Sequence, residues 1–199
     1  QEEVDAMVTS GYLYLREMVV DYLIPYGELR SGQLYSIKTN KLQNFQVKPT
    51  DESLCDWGPF YQIINVANTV LSNAHKAMTN DRTYKVEEMN AHFCEAYFLR
   101  ALSYFYLVRN WREVPLITVP FEDDSYSYHV PNTSEDSIIA QIKADVRAAL
   151  ATGAAKEYYE TTWETKGRAT RWALYALMAD VCLWSEDYAT AITFCDYLM

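Results

Sequence analysis

The sequence is short of positive charge, of glycine and proline, of paired cysteines and of long apolar runs. Lys plus Arg total 17 against 27 Asp plus Glu, a formal net charge of −10. Nucleic-acid binding needs concentrated positive charge to replace condensed counterions, and anionic lipid headgroups need it too. Neither partner suits this balance. The most apolar stretch, Trp172 to Trp184, is interrupted by Asp180 and falls short of the roughly 20 residues that a membrane-spanning helix requires. The opening Gln1-Glu2-Glu3-Val4-Asp5 is acidic, unlike the basic start of a signal peptide. Cys55, Cys94, Cys182 and Cys195 form no CxxC pair, so neither a zinc knuckle nor a dense disulfide framework is expected. Three of them fall in expected helix interiors, where a small buried thiol is the ordinary reading.

Catalytic signatures are equally sparse. His75, His92 and His129 have no Cys or His ligand at metal-binding spacing, and no cofactor or metal site is expected. His92 lies one turn after Glu88, which reads as a surface helix pair. Glu87/Glu88, Glu122–Asp124 and Glu186/Asp187 read as solvated acidic surface, although glycosidases do use paired carboxylates. No GxSxG, GxGxxG or GxxxxGKS pattern occurs. An enzyme is not expected.

What is abundant is hydrophobic and aromatic. Half of the 199 residues are hydrophobic, and there are 17 Tyr, 5 Trp and 7 Phe. A single domain of this length buries about 70% of its unfolded surface. Six Gly and six Pro, with no sustained alternation of apolar and polar residues, predict an all-α domain.

The apolar spacing predicts the helices. Val4, Val8, Tyr12, Leu15, Val19 and Tyr22 make one face over Glu3–Leu23, with Pro25 as the stop. An irregular region over Pro25–Ser53 follows, long for a compact domain, with a weak strand signal at Phe45-Gln46-Val47. A second helix starts near Trp57–Phe60 with Pro59 in its first turn, and Asn80-Asp81 turns the chain. A third, over Val86–Arg109, has an apolar stripe wide enough for a middle layer. Pro115, Pro120 and Pro131 keep Trp111–Asn132 irregular. Thr133 is placed to cap a fourth helix that Gly153 ends. Ala154–Gly167 reads as a linker. Thr170–Trp184 and Tyr188–Met199 form a hairpin whose small residues, Ala179 and Ala191, permit close approach. The chain stops inside an apolar-periodic helix, so residues 1–199 are expected to be the N-terminal part of one longer helical domain.

Loop aromatics are the functional lead. Flat rings cover the C–H faces of sugars, while amides and carboxylates bond the hydroxyls. The candidate ligand residues are Tyr26, Tyr35, Trp57, Trp111, Tyr126 and Tyr128, with Asn40, Asn44 and Asp56 as polar company. The competing reading is that each ring pins its loop to the helices and keeps its polar tip at the surface. Long-range repulsion argues against strongly acidic polysaccharides, with Arg30, Lys38 and Lys41 as local counterweights.

Four segments carry a resemblance to a known family. They are Trp57-Gly58-Pro59-Phe60-Tyr61 continuing to Ile63, Ile64, Ala67 and Asn68; Glu95-Ala96-Tyr97-Phe98-Leu99-Arg100-Ala101; Trp111-Arg112-Glu113-Val114-Pro115-Leu116; and Gly167-Arg168-Ala169-Thr170 followed by Ala173, Ala176, Leu177, Asp180 and Tyr188. Together they resemble, in order, the SusD/RagB nutrient-binding outer-membrane lipoproteins of Bacteroidetes. Arg112 or Glu113 stands where the family more often has glycine before Val-Pro. The resemblance implies tetratricopeptide-like helix pairs with long irregular loops, in a protein considerably longer than this chain. It implies a lid-like, non-catalytic subunit on a SusC-like TonB-dependent transporter at the cell surface, held in the outer membrane only by an N-terminal lipid anchor whose cysteine this chain lacks. The expected ligand is an oligo- or polysaccharide. A peptide ligand, or a structural module that only docks on its transporter, are the alternatives. Arg100 is expected to reach a carboxylate or helix end between layers, and Asn65 and Asn68 to tie helix to loop. No sugar contact transfers by motif, because ligand residues in such proteins sit in variable loops.

Overall fold

The computed structural model describes residues 1–38, 40–122 and 129–199. Its elements are α1 (Glu2–Met18), α2 (Gly58–Asn80), α3 (Val86–Trp111), β1 (Val114–Pro115), β2 (Asn132–Thr133), α4 (Glu135–Ala151), α5 (Thr162–Gly167), α6 (Arg171–Trp184) and α7 (Tyr188–Asp196). The fold is all-α, built of helix pairs. The only pairing of strands among the described residues is the two-residue antiparallel contact of β1 with β2, Val114 opposite Thr133.

Pro25 does not stop the first helix. After Met18 the chain continues as two π-helical segments, Val19–Leu23 and Pro25–Leu29. The Ile24 N–H bonds the Val19 carbonyl and the Arg30 N–H bonds the Pro25 carbonyl. In an α-helix the proline ring would clash with the carbonyl four residues back. The wider π turn relieves that contact. The irregular region therefore starts at Gly32, whose φ of 80° ends the helical course, and includes a 3-10 turn at Glu52–Leu54. Phe45 is not in a strand; it closes a turn with φ of 54°.

α3 is the middle layer that its broad stripe predicts. It packs against α2, α4 and α1, and more lightly against α6. Gly11 lets α1 approach α3 closely, since a Cβ there would lie 2.8 Å from Leu99 Cδ1. One apolar core joins α2, α3, α4 and the α6–α7 hairpin through Phe60, Ile63, Tyr104, Phe105, Ile142 and Met178. A second, between α1, α2 and the start of α3, holds Val8, Val70, Tyr84 and Met89.

Buried polar residues fasten these layers. The Arg100 guanidinium grips Asp145 of α4 through Nε at 2.8 Å and Nη2 at 2.6 Å, with both residues 5% exposed or less. Its Nη1 donates to Asn68 Oδ1 at 2.7 Å. The Asn68 amide donates onward to the Ile117 and Val119 carbonyls, each at 3.1 Å. Asn65 accepts from the Phe121 N–H at 2.8 Å. The expected roles of Arg100, Asn65 and Asn68 are thus realised. Arg168 binds buried Glu95 with both arms, each at 2.9 Å.

Four further expectations need correction. Thr133 is held by β1, so Ser134 takes the N-cap position of α4. The linker contains α5, whose start Thr161 and Glu164 form a reciprocal capping box. His92 is not a surface partner of Glu88. It is buried, and its Nδ1 shares a 2.7 Å hydrogen bond with the Tyr84 hydroxyl, while Glu88 caps α3 at the Lys85 N–H. Cys94 and Cys182 are buried as expected, but Cys195, in the last turn of α7, is exposed. Gly153, with φ of 69°, ends α4 as the sequence predicts.

Candidate functional site

The π-helical turn carries Tyr26 inward. Its ring meets Trp111 edge-on at 5.7 Å and Tyr22 at 6.0 Å, and its hydroxyl donates to the Leu54 carbonyl at 2.7 Å. Burial pushes the Tyr26 hydroxyl well above the usual tyrosine pKa, so it stays a neutral donor. Trp111 also meets Phe60 at 5.8 Å and Trp57 at 6.3 Å, and Trp57 lies tilted against Tyr61. Edge-to-face rings at these distances add about 0.5–1.5 kcal/mol per pair beyond area burial. Tyr26, Trp57 and Trp111 therefore pin the 32–57 region to the ends of α2 and α3. Tyr26 is 8% exposed, which corrects its placement on an open loop.

A cleft of about 340 Å³ opens beside this cluster. One wall is Tyr26 and Arg30; the second is Leu42, Phe45 and Val47 of the irregular region; the third is Asn110 and Trp111 at the end of α3; Leu54 and Cys55 also line it. Phe45 is 77% exposed and is held in the left-handed region, so it presents a ring to solvent at the rim. Arg30 Nη1 donates to Asn110 Oδ1 at 3.0 Å. The Asn110 amide donates to the Tyr106 carbonyl at 2.8 Å, which fixes its oxygen towards Arg30. A neighbouring hollow shares Tyr26, Arg30 and Phe45 and adds Glu28, Gln33 and Arg109.

The other sequence candidates lie apart. Tyr35 is 80% exposed but does not line the cleft. Asn40 turns inward on its own backbone, accepting from the Leu42 N–H at 2.9 Å and the Gln43 N–H at 3.3 Å. Asn44 belongs to the same turn, its N–H bonding the Asn40 carbonyl. Asp56 accepts from the Gly58 N–H at 2.8 Å. Tyr126 and Tyr128 lie outside the described residues. Sequence reasoning names Arg30 only as a local positive charge and misses Phe45, Val47 and Asn110 as site residues. The i, i+4 spacing of Tyr26 and Arg30 would place them on one helix face, but only once the helix is known to pass Pro25.

A larger cleft, about 540 Å³, is lined by Asp5, His92, Glu95 and Arg168. Within it Arg168 holds Glu95 and lies 3.5 Å from Asp5, which itself lies 3.5 Å from His92 Nε2, while Glu87, Glu88 and Lys156 also line the cleft. Those contacts join α1, α3 and the end of α5, a scaffold function. No group of three or more His, Cys, Asp or Glu is placed to hold a metal ion among the described residues, and none of their helices is long and apolar enough to cross a membrane.

Comparison with known proteins adds four findings. A family profile described as SusD-like, "Starch-binding associating with outer membrane", matches residues 23–183. A SusD-like protein of Bacteroides ovatus is 31% identical over 167 residues, covering 81% of this chain and 28% of the relative. Among solved structures, a SusD superfamily protein from Bacteroides thetaiotaomicron superposes with a TM-score of 0.87 at 24% identity, over all of this chain and 47% of that one. A laminarin-binding SusD-like protein superposes with a TM-score of 0.80 at 23% identity, over all of this chain and 43% of its own. The chain thus spans less than half the length of each of these proteins.

Proposed function

The chain belongs to the SusD/RagB family of Bacteroidetes outer-membrane nutrient-binding proteins, and from that premise we propose that it is part of the cell-surface, glycan-binding component of a TonB-dependent uptake system. Proteins of this family bind and do not catalyse. The partner is a SusC-like transporter, and attachment to the outer membrane is through an N-terminal lipid. The ligand is an oligo- or polysaccharide held in the cleft between Phe45 and Trp111.

The cleft's chemistry carries the reading. It sets aromatic faces beside an oriented guanidinium and a side-chain amide, the combination that covers a sugar's C–H face while bonding its hydroxyls. Its volume lies at the small end of the range for ligand sites, which suits one or two sugar units. The laminarin-binding relative supports a carbohydrate over a peptide.

Isothermal titration of the full-length polypeptide against a panel of soluble glycans and peptides, at fixed salt, tests it. Saturable heat with a glycan class is expected. Phe45→Ala should weaken that binding about fivefold, the equivalent of about 1 kcal/mol of lost apolar contact. Phe45 is largely exposed, so this variant should keep the fold. Saturable heat with peptides alone would overturn the glycan reading in favour of peptide capture. Silence with both would leave transporter docking as the role of this half.

A further inference from the structure

We propose that the cleft selects glycans carrying an anionic substituent, a carboxylate or a sulfate ester, through Arg30. This inference rests on the glycan reading above and adds the substrate class.

The cleft contradicts the charge of the chain around it. The net charge is −10, yet among the described residues Arg30 is the one charged side chain lining the cleft, and none of them places a carboxylate there. The sequence offers four basic residues in this region, Arg30, Lys38, Lys41 and Lys48, of which Arg30 lines the cleft. Lys41 is paired with Asp51; that lysine and the Lys48 N–H hold the Asp51 carboxyl below the usual range, so Lys41 presents little free charge. Arg30 faces Asn110, a neutral partner.

Arg109, in the adjoining hollow, is engaged on its far side. It lies 3.3 Å from Asp180 and packs over the Phe105 and Trp184 rings at 5.1 and 5.4 Å. Glu28 also lines that hollow but not the cleft, so among the described residues the positive charge inside the cleft is that of Arg30. Low-dielectric aromatic walls on either side focus it.

The guanidinium is also aimed. Asn110 is locked by its bond to the Tyr106 carbonyl and takes one N–H of Arg30. A planar guanidinium has five N–H donors in a fixed fork, so others remain to meet a carboxylate or sulfate in two parallel bonds. The ring of Phe45 beside it would cover the sugar that bears the anion.

The test is titration of the full-length polypeptide with three probes: an oligogalacturonate, a sulfated galactan oligosaccharide and a neutral laminarin oligosaccharide. At least one anionic probe should bind more tightly than laminarin, with an affinity that falls as salt rises from about 50 to about 500 mM. The two anionic probes separate carboxylate from sulfate. Arg30→Gln should lower the anionic-to-neutral affinity ratio about tenfold. Asn110→Asp should lower it too, by giving Arg30 a carboxylate partner while keeping the hydrogen bond. Occupancy reads out independently through Cys55, which lines the cleft: the bound anionic probe should slow its alkylation, mapped by mass spectrometry.

Laminarin binding at least as tight as both anionic probes, or a ratio unchanged in Arg30→Gln, would overturn the inference and leave the glycan reading standing. Anionic binding without Cys55 protection would overturn the placement in this cleft. Absence of binding by all three probes, with saturable heat for another neutral glycan, would likewise overturn the inference alone; silence across the whole glycan panel would remove both.

Discussion

Removing the Arg100 guanidinium should be among the most damaging single changes in the molecule. Arg100→Ala would leave the Asp145 carboxylate buried with Gln141 Nε2, at 2.8 Å, as its remaining side-chain donor. It would also strip Asn68 Oδ1 of its 2.7 Å partner. Breaking a buried pair from one side costs about 3–5 kcal/mol, because the surviving charge keeps its desolvation penalty. At this chain length each kcal/mol lowers Tm by about 2–4 °C, so a drop of about 6–20 °C is expected in a thermal melt. The double variant Arg100→Met with Asp145→Leu should recover at least half of it, since apolar replacement of both partners leaves no orphaned charge. Hydrogen exchange gives a second readout. Asn68 fixes the Ile117 and Val119 carbonyls, so amides over residues 116–121 should exchange faster in Arg100→Ala than in the double variant, relative to each variant's global stability. A loss under about 1 kcal/mol, or a double variant no better than the single one, would refute the view that this pair is dry and joins α3 to α4.

Two other expectations follow from burial. His92 is pushed below its ordinary pKa chiefly by desolvation, against the opposing pull of Glu95 and Asp5. Below about pH 6.5 the unfolded histidine takes up a proton that the folded one resists, so stability should fall as pH drops from there towards the depressed native value. His92→Gln should flatten that part of the Tm–pH curve; an unchanged slope would mean that other groups carry it. Cys94 and Cys182 are buried with thiol pKa values raised mainly by desolvation, and Cys195 is exposed. A thiol reagent should therefore modify Cys195 in the native protein and reach Cys94 and Cys182 only with denaturant; native-state modification of Cys94 at the rate of Cys195 would contradict the packing.

Scaffold residues were legible because their cues are local and periodic. α3 announces its central place by apolar residues on most of its circumference, and the structure surrounds it as that pattern demands. Arg100, Asn65 and Asn68 sit at helical positions facing inward, where polar groups must find partners. The cue for α5 was also present, as Thr161 and Glu164 at capping-box spacing, but six residues give too little periodicity to mark a helix. The β1–β2 contact pairs two residues with two across residues 116–131, and no spacing rule reaches that far.

The cleft was hidden for a different reason: it depends on a local rule being broken. Proline inside an apolar-periodic run normally marks a boundary, and reading Pro25 that way consigns Tyr26 and Arg30 to a loop with no defined direction. The chain instead passes Pro25 by bonding five residues back, from the Arg30 N–H to the Pro25 carbonyl. That bond keeps Tyr26 and Arg30 on a helical turn, one ring packed on Trp111 and one guanidinium held by Asn110. π-Helical turns recur at functional sites because they redirect side chains at some cost in helix regularity. Here the redirected turn supplies one whole wall of the cleft. A chain that left the helix at Pro25 would bring neither side chain to that place, so the irregularity that misleads sequence reading is also what assembles the site.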